Sequence, residues 1–104
     1  MEEIAPDEAA ALVAAGAILV DVREQDEWDA GHVAGALHFP LSTLAATWQE
    51  VPGADRTVFV CRSGGRSLAA AEAFAAAGRA GCVNLAGGMQ AWVAAGRPCS
   101  GHVA

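Results

Sequence analysis

The sequence predicts an α/β domain, a parallel sheet covered by helices on both faces. Three observations lead there. Short apolar runs alternate with longer, alanine-rich stretches along the whole chain, which is the pattern of strand–helix–strand units rather than hairpins. The strand candidates at 17–22, 57–60 and 82–85 are almost continuously apolar, as strands buried on both faces must be. Gly or Pro stands at most of the junctions, where the chain has to change direction.

Taken in order, Glu3-Ile4 reads as a short edge strand. Ala5-Pro6-Asp7-Glu8 opens a helix, with proline early and acids in the first turn, and that helix should end at Gly16. Ala17-Ile18-Leu19-Val20-Asp21-Val22 is a strand that finishes in polar residues. Residues 24–30 form a short acidic helix or turn stopped by Gly31. Ala36-Leu37-His38-Phe39 is a brief third strand ended by Pro40. Residues 42–48 read as helix and Pro52-Gly53-Ala54-Asp55 as a turn. Strand 57–60, helix 67–77, strand 82–85 and helix 88–95 follow, with Gly78 and Gly96 as C-terminal stops. One domain is expected over 1–97, with a loose tail over 98–104.

The totals narrow the function. A chain of 104 residues makes one compact domain. The formal charge is −6, and all six basic residues are arginine. Nucleic acid and anionic membrane surfaces are therefore not the expected partners. Two of the six arginines flank one cysteine, which suits a small anionic ligand instead. Three cysteines are too few for a disulfide framework. Cys61, Cys82 and Cys99 lack the paired spacing of a zinc site, and neither His38 nor His102 has a metal-site partner. No metal or cofactor is expected, and reduced thiols point to a cytoplasmic setting. The acidic Met1-Glu2-Glu3 start does not read as a signal segment, and no apolar run is long enough to span a bilayer.

In a parallel sheet, ligands gather at the carboxyl ends of the strands. Asp21, Cys61 and the turn Leu85-Ala86-Gly87-Gly88 all fall there. Cys61 begins Cys61-Arg62-Ser63-Gly64-Gly65-Arg66-Ser67, between an apolar strand and an alanine-rich helix. Gly64 and Gly65 let successive N–H groups converge on one atom. A helix N-terminus adds unpaired donors and partial positive charge. Arg62 and Arg66 add full charge. Each element favours thiolate over thiol. A cysteine that ends a core strand is more often inert, but the glycine pair and the arginines have no evident packing use.

Three separated motifs carry a resemblance. The first is Leu19-Val20-Asp21-Val22-Arg23-Glu24 with Glu27-Trp28 and Gly31-His32-Val33-Ala34-Gly35-Ala36. The second is the Cys61–Ser67 segment. The third is Val83-Asn84-Leu85-Ala86-Gly87-Gly88 with Trp92 and Gly96. In this order and spacing, across nearly the whole chain, they resemble the rhodanese-like sulfurtransferases, in particular the short single-domain members. The resemblance implies a five-stranded parallel sheet and sulfane-sulfur transfer through a persulfide on Cys61. It implies an anionic donor such as thiosulfate, and as acceptor cyanide in vitro or a thiol in cells, with an acceptor protein as a further partner. In this reading Arg62 and Arg66 hold the donor's oxygens, and Ser63 or Ser67 supplies a hydroxyl hydrogen bond. The N–H groups of 62–67 receive the charge. Asp21 and Arg23 brace the sheet and the neighbouring loops. His32 ties down the turn between Gly31 and Gly35 rather than acting as a base. Gly87 and Gly88 allow close approach to the loop, and Trp92 is core. Cys82 is expected to be buried and inert. Cys99 is either an accidental thiol or a resolving one.

Two alternatives stay open: a sulfur carrier serving a dedicated partner, and a non-catalytic regulatory domain, which the intact cysteine and arginines disfavour. Cysteine phosphatases of related architecture use a loop one residue longer. With Arg66 five positions after Cys61, this loop suits one sulfur atom better than a phosphate group.

Overall fold

The computed structural model describes residues 1–103. Its main sheet takes the three long apolar runs as four-residue strands and adds two strands of two residues. These are β1 (Glu3–Ile4), β2 (Ile18–Asp21), β4 (Leu37–His38), β5 (Thr57–Val60) and β6 (Cys82–Leu85). They pair in the order β1-β6-β5-β2-β4, every pair parallel. β5 lies at the centre with all four residues buried, which explains its unbroken apolar sequence.

The pleat sorts alternate residues to opposite faces. Leu19, Val58, Val60, Val83 and Leu85 face one core with Ile4, Ala9, Met89 and Trp92. Val20, Phe59 and Cys61 face the other with Leu44, Ala70, Ala71 and Phe74. Helices α1 (Pro6–Ala14) and α5 (Gly88–Ala94) cover the first face. Helices α3 (Leu41–Thr47) and α4 (Gly65–Ala76) cover the second.

The short helix α2 (Gln25–Ala30) buries no residue. Its N-terminus is held by a capping box. The Glu24 side chain accepts from the backbone three residues on, and the Glu27 carboxylate accepts the Glu24 N–H at 3.0 Å. The Glu24 carboxylate also accepts the Ser42 hydroxyl at 2.6 Å, tying α2 to the start of α3.

Three departures from the sequence expectation bear on the site and the core, while other limits shift by a residue or two. α4 starts at Gly65 rather than at residue 67, because a helix tolerates glycine at its first position, where Gly64 already completes the turn. α3 starts at Leu41, directly after Pro40, and runs on into a 3-10 turn, Trp48–Glu50. The third difference is the C-terminus. Residues 98–103 are docked rather than loose. The Trp92 indole N–H donates to the Pro98 carbonyl at 3.0 Å, a partner that a buried indole needs. β7 (Ser100–Gly101) pairs antiparallel with β3 (Gly31–His32), and the His102 N–H donates to the Ala30 carbonyl at 2.8 Å. Ala104 lies outside the described residues.

Candidate functional site

Cys61 follows the last residue of β5 and is 1% exposed. Its Sγ accepts the Gly64 N–H at 3.1 Å and the Ser67 hydroxyl at 3.3 Å. Burial pushes the thiol pKa up. The hydroxyl of Ser67 and the N–H groups of Ser67, Gly64 and Ser63 outweigh that, so the thiol is more acidic than its ordinary 9.0. Ser67, wholly buried, is thus the serine that meets sulfur through its side chain, while the Ser63 side chain is exposed.

The loop takes this shape because its carbonyls are claimed from behind. The Met89 N–H donates to the Cys61 carbonyl at 2.8 Å, and the Gln90 N–H to the Arg62 carbonyl at 3.1 Å. Both donors are among the unpaired N–H groups of the first turn of α5. In a trans peptide the N–H points opposite the C=O, so the Arg62 and Ser63 N–H groups are turned away from α5.

That contact requires the turn Gly87-Gly88. A Cβ on Gly88 would strike the Cys61 carbonyl oxygen and lie 2.6 Å from the Arg62 carbonyl. Gly64 has φ 110° and caps α4, a conformation that β-carbon-bearing residues rarely adopt.

Arg62 is exposed on the loop. Arg66, half-buried at the start of α4, is paired with α2. Its two terminal nitrogens each donate one N–H to the Glu27 carboxylate, at 2.8 and 2.9 Å, in a forked geometry. The Arg66 hydrogen bond holds the Glu27 carboxyl at about 2, against an ordinary 4.5. The same contact makes the Arg66 guanidinium harder to deprotonate.

Asp21 and Arg23 form a buried pair, 1% and 2% exposed. The Arg23 guanidinium donates to both Asp21 oxygens, at 2.8 to 3.1 Å. It also donates to the Gly31 carbonyl at 2.8 Å and to the Glu27 carbonyl at 3.3 Å, joining the end of β2 to α2 and β3. Removing either partner would strand a buried charge, at a cost of about 3–5 kcal/mol.

His32 Nδ1 is 2.9 Å from the Trp28 carbonyl, and its ring stacks on the Trp28 ring at 3.7 Å. Trp28 also stacks on His38 at 4.6 Å. Trp92 is core. Cys82 is half-buried rather than buried, and burial raises its pKa despite the nearby Arg79 charge. Cys99 packs, half-buried, against the cluster on the face opposite Cys61. Among the described residues no group of three or more His, Cys, Asp or Glu is placed to hold a metal, and no helix is long and apolar enough to cross a membrane.

Sequence reasoning missed two residues. In the sequence Glu27 stands only within a motif, and its partner lies 39 positions away. Asn84 was not singled out. Its one signal was a lone amide in an apolar strand.

The model of a rhodanese-like domain matches residues 5–95. The chain belongs to the rhodanese-like domain family. Thiosulfate sulfurtransferase GlpE of Pseudomonas entomophila is 32% identical over 91 residues, covering 88% of this chain and 84% of that protein. Human thiosulfate:glutathione sulfurtransferase is 34% identical over 97 residues, covering 79% of this chain and 84% of that protein. The crystal structure of a rhodanese-related protein from Thermoplasma volcanium superimposes with a TM-score of 0.85 at 28% identity, covering 95% of this chain and 97% of the other. The shared architecture is the five-stranded parallel sheet with its covering helices.

Proposed function

We propose that this rhodanese-like protein is a sulfurtransferase that carries sulfane sulfur as a persulfide on Cys61. The observation that supports this best is the buried Sγ at the mouth of α4, held by the Gly64 N–H and the Ser67 hydroxyl and acidified by them. The relatives named as thiosulfate sulfurtransferases support the same chemistry.

The Cys61 thiolate attacks the outer sulfur of thiosulfate. The new S–S bond forms as the donor's S–S bond breaks, and sulfite leaves with the electron pair. Cys61 then bears a terminal sulfur with a negative charge. A thiolate acceptor, or cyanide in vitro, attacks that sulfur and returns the Cys61 thiolate. No external oxidant or reductant is needed, and the reaction is covalent catalysis in two displacements. The loop N–H groups are in place before the charge arrives, so they stabilise it without reorganisation.

Arg62 is the cation proposed to meet the donor's oxygens. Arg66, its forked donors taken by Glu27, adds positive charge near the site and braces the loop against α2. The same pairing counts against phosphate chemistry, because an arginine so held is not presented to close around a tetrahedral group.

The test is mass spectrometry after incubation with thiosulfate. The protein should gain one sulfur, removable by cyanide or a thiol, and Cys61→Ser should gain none. Transfer that persists in Cys61→Ser, or Cys61-dependent hydrolysis of aryl phosphates by the wild type, would overturn the proposal.

A further inference from the structure

Gly64 supplies an N–H to the sulfur, yet glycine is the residue least able to hold its own conformation. Something outside the loop must hold it. Three donor groups lie within hydrogen-bond distance of the Gly64 carbonyl: the Leu68 N–H at 3.1 Å, the Asn84 Nδ2 at 3.0 Å and, at 3.3 Å, the Ser67 hydroxyl, whose one proton is shared with Cys61 Sγ. Leu68 and Ser67 belong to α4, the helix that Gly64 caps, so they move with it. Of the three, Asn84 alone belongs to the sheet. It sits on β6, between β5 and β1, and is 0% exposed.

The amide itself is fixed. Its second Nδ2 hydrogen goes to the Glu3 carboxylate at 2.9 Å, from the residue paired with Asn84 across β1 and β6. Turning the amide over would set Oδ1 against two acceptors, the Gly64 carbonyl and the Glu3 carboxylate, so the orientation follows from the chemistry of its partners. Asn84 Oδ1 has no partner. A buried unpaired acceptor costs stability, and its apolar neighbours Val83 and Leu85 show what this strand otherwise favours. A polar residue kept at that cost calls for a role other than packing.

We infer that Asn84 is a positioning residue for the Cys61 thiolate: its amide, oriented by Glu3, clamps the Gly64 carbonyl to the sheet and thereby keeps the Gly64 N–H on Sγ. The inference rests on the reading of Cys61 as the reactive thiol. It extends the site to β6, the strand beside β5, and to an exposed residue of the edge strand β1.

Asn84→Val is the informative variant. Valine suits a buried strand and removes the unpaired Oδ1. It leaves no orphan behind, since the Gly64 carbonyl keeps the Leu68 N–H and the Glu3 carboxylate is exposed. The thermal midpoint should therefore hold or rise. The inflection of Cys61 alkylation against pH should move upward, with the rate at a fixed pH below the inflection falling about three- to tenfold. Alkylation is read on the Cys61 peptide by mass spectrometry, which separates it from Cys82 and Cys99. Hydrogen exchange in residues 62–67 should quicken in the same variant. Glu3→Ala, at an exposed position, should shift the profile the same way by about two- to threefold. An unchanged profile in folded Asn84→Val overturns the inference. Should that variant not fold, an unchanged profile in Glu3→Ala overturns it. Alkylation uses no sulfur donor, so a protein that fails to transfer sulfur but shows these shifts refutes the proposed reaction and not the role of Asn84.

Discussion

Glu27→Gln separates two uses of Arg66. Glutamine is isosteric, and its Oε1 still accepts the Glu24 N–H, so the cap of α2 survives. What goes is the negative charge on the Arg66 fork. The structure sets the scale. A carboxyl held at about 2 against 4.5 corresponds to at most about 3 kcal/mol. The pair is partly exposed, 35% for Arg66 and 23% for Glu27, so solvent screening brings this to about 1–2 kcal/mol. The sign follows from the lowered pKa. The contribution is complete above the unfolded value of 4.5 and is lost as pH falls through about 2. Glu27→Gln should thus be less stable than wild type at neutral pH, and the difference should shrink toward pH 2. Released Arg66 should at the same time reach the donor, lowering KM for thiosulfate about fivefold, the worth of one exposed charge-assisted contact of about 1 kcal/mol. The assays are thermal unfolding at neutral and acid pH, and steady-state transfer with thiosulfate varied. A destabilised variant with unchanged or higher KM would show that Arg66 serves only to brace the loop.

Two further outcomes are expected. Ser67→Ala removes the hydroxyl from Sγ while the Gly64 carbonyl keeps Asn84 and Leu68. The loss of a long hydrogen bond to a charged atom, about 1 kcal/mol, should cut Cys61 alkylation about fivefold below its inflection, and an unaltered pH profile would remove Ser67 from the set of acidifying donors. Gly88→Ala sets a methyl against the carbonyls of Cys61 and Arg62 at φ 59°. It should cost at least about 2 kcal/mol from clash and left-handed strain, and a thermal midpoint equal to wild type would mean that the loop and α5 are not rigidly joined.

Much of this molecule is legible in one dimension, because the signals are local. An apolar run must be buried, a glycine or proline must break an element, and Cys61-Arg62-Ser63-Gly64-Gly65-Arg66-Ser67 holds a thiol, its donors and its turn within seven consecutive residues. The strands, the two covered faces and the loop as the expected seat of chemistry all follow from such neighbours. Tertiary structure alone decided which partner each polar group found. Arg66 is bound by Glu27 on another helix. Asn84 reaches both Gly64 and Glu3, twenty and eighty-one positions away. The C-terminal residues dock because the Trp92 indole and the edge of β3 offer them hydrogen bonds that no local pattern announces. A side chain's periodicity tells whether it turns inward, but the acceptor it meets is set by which strands and helices lie beside it.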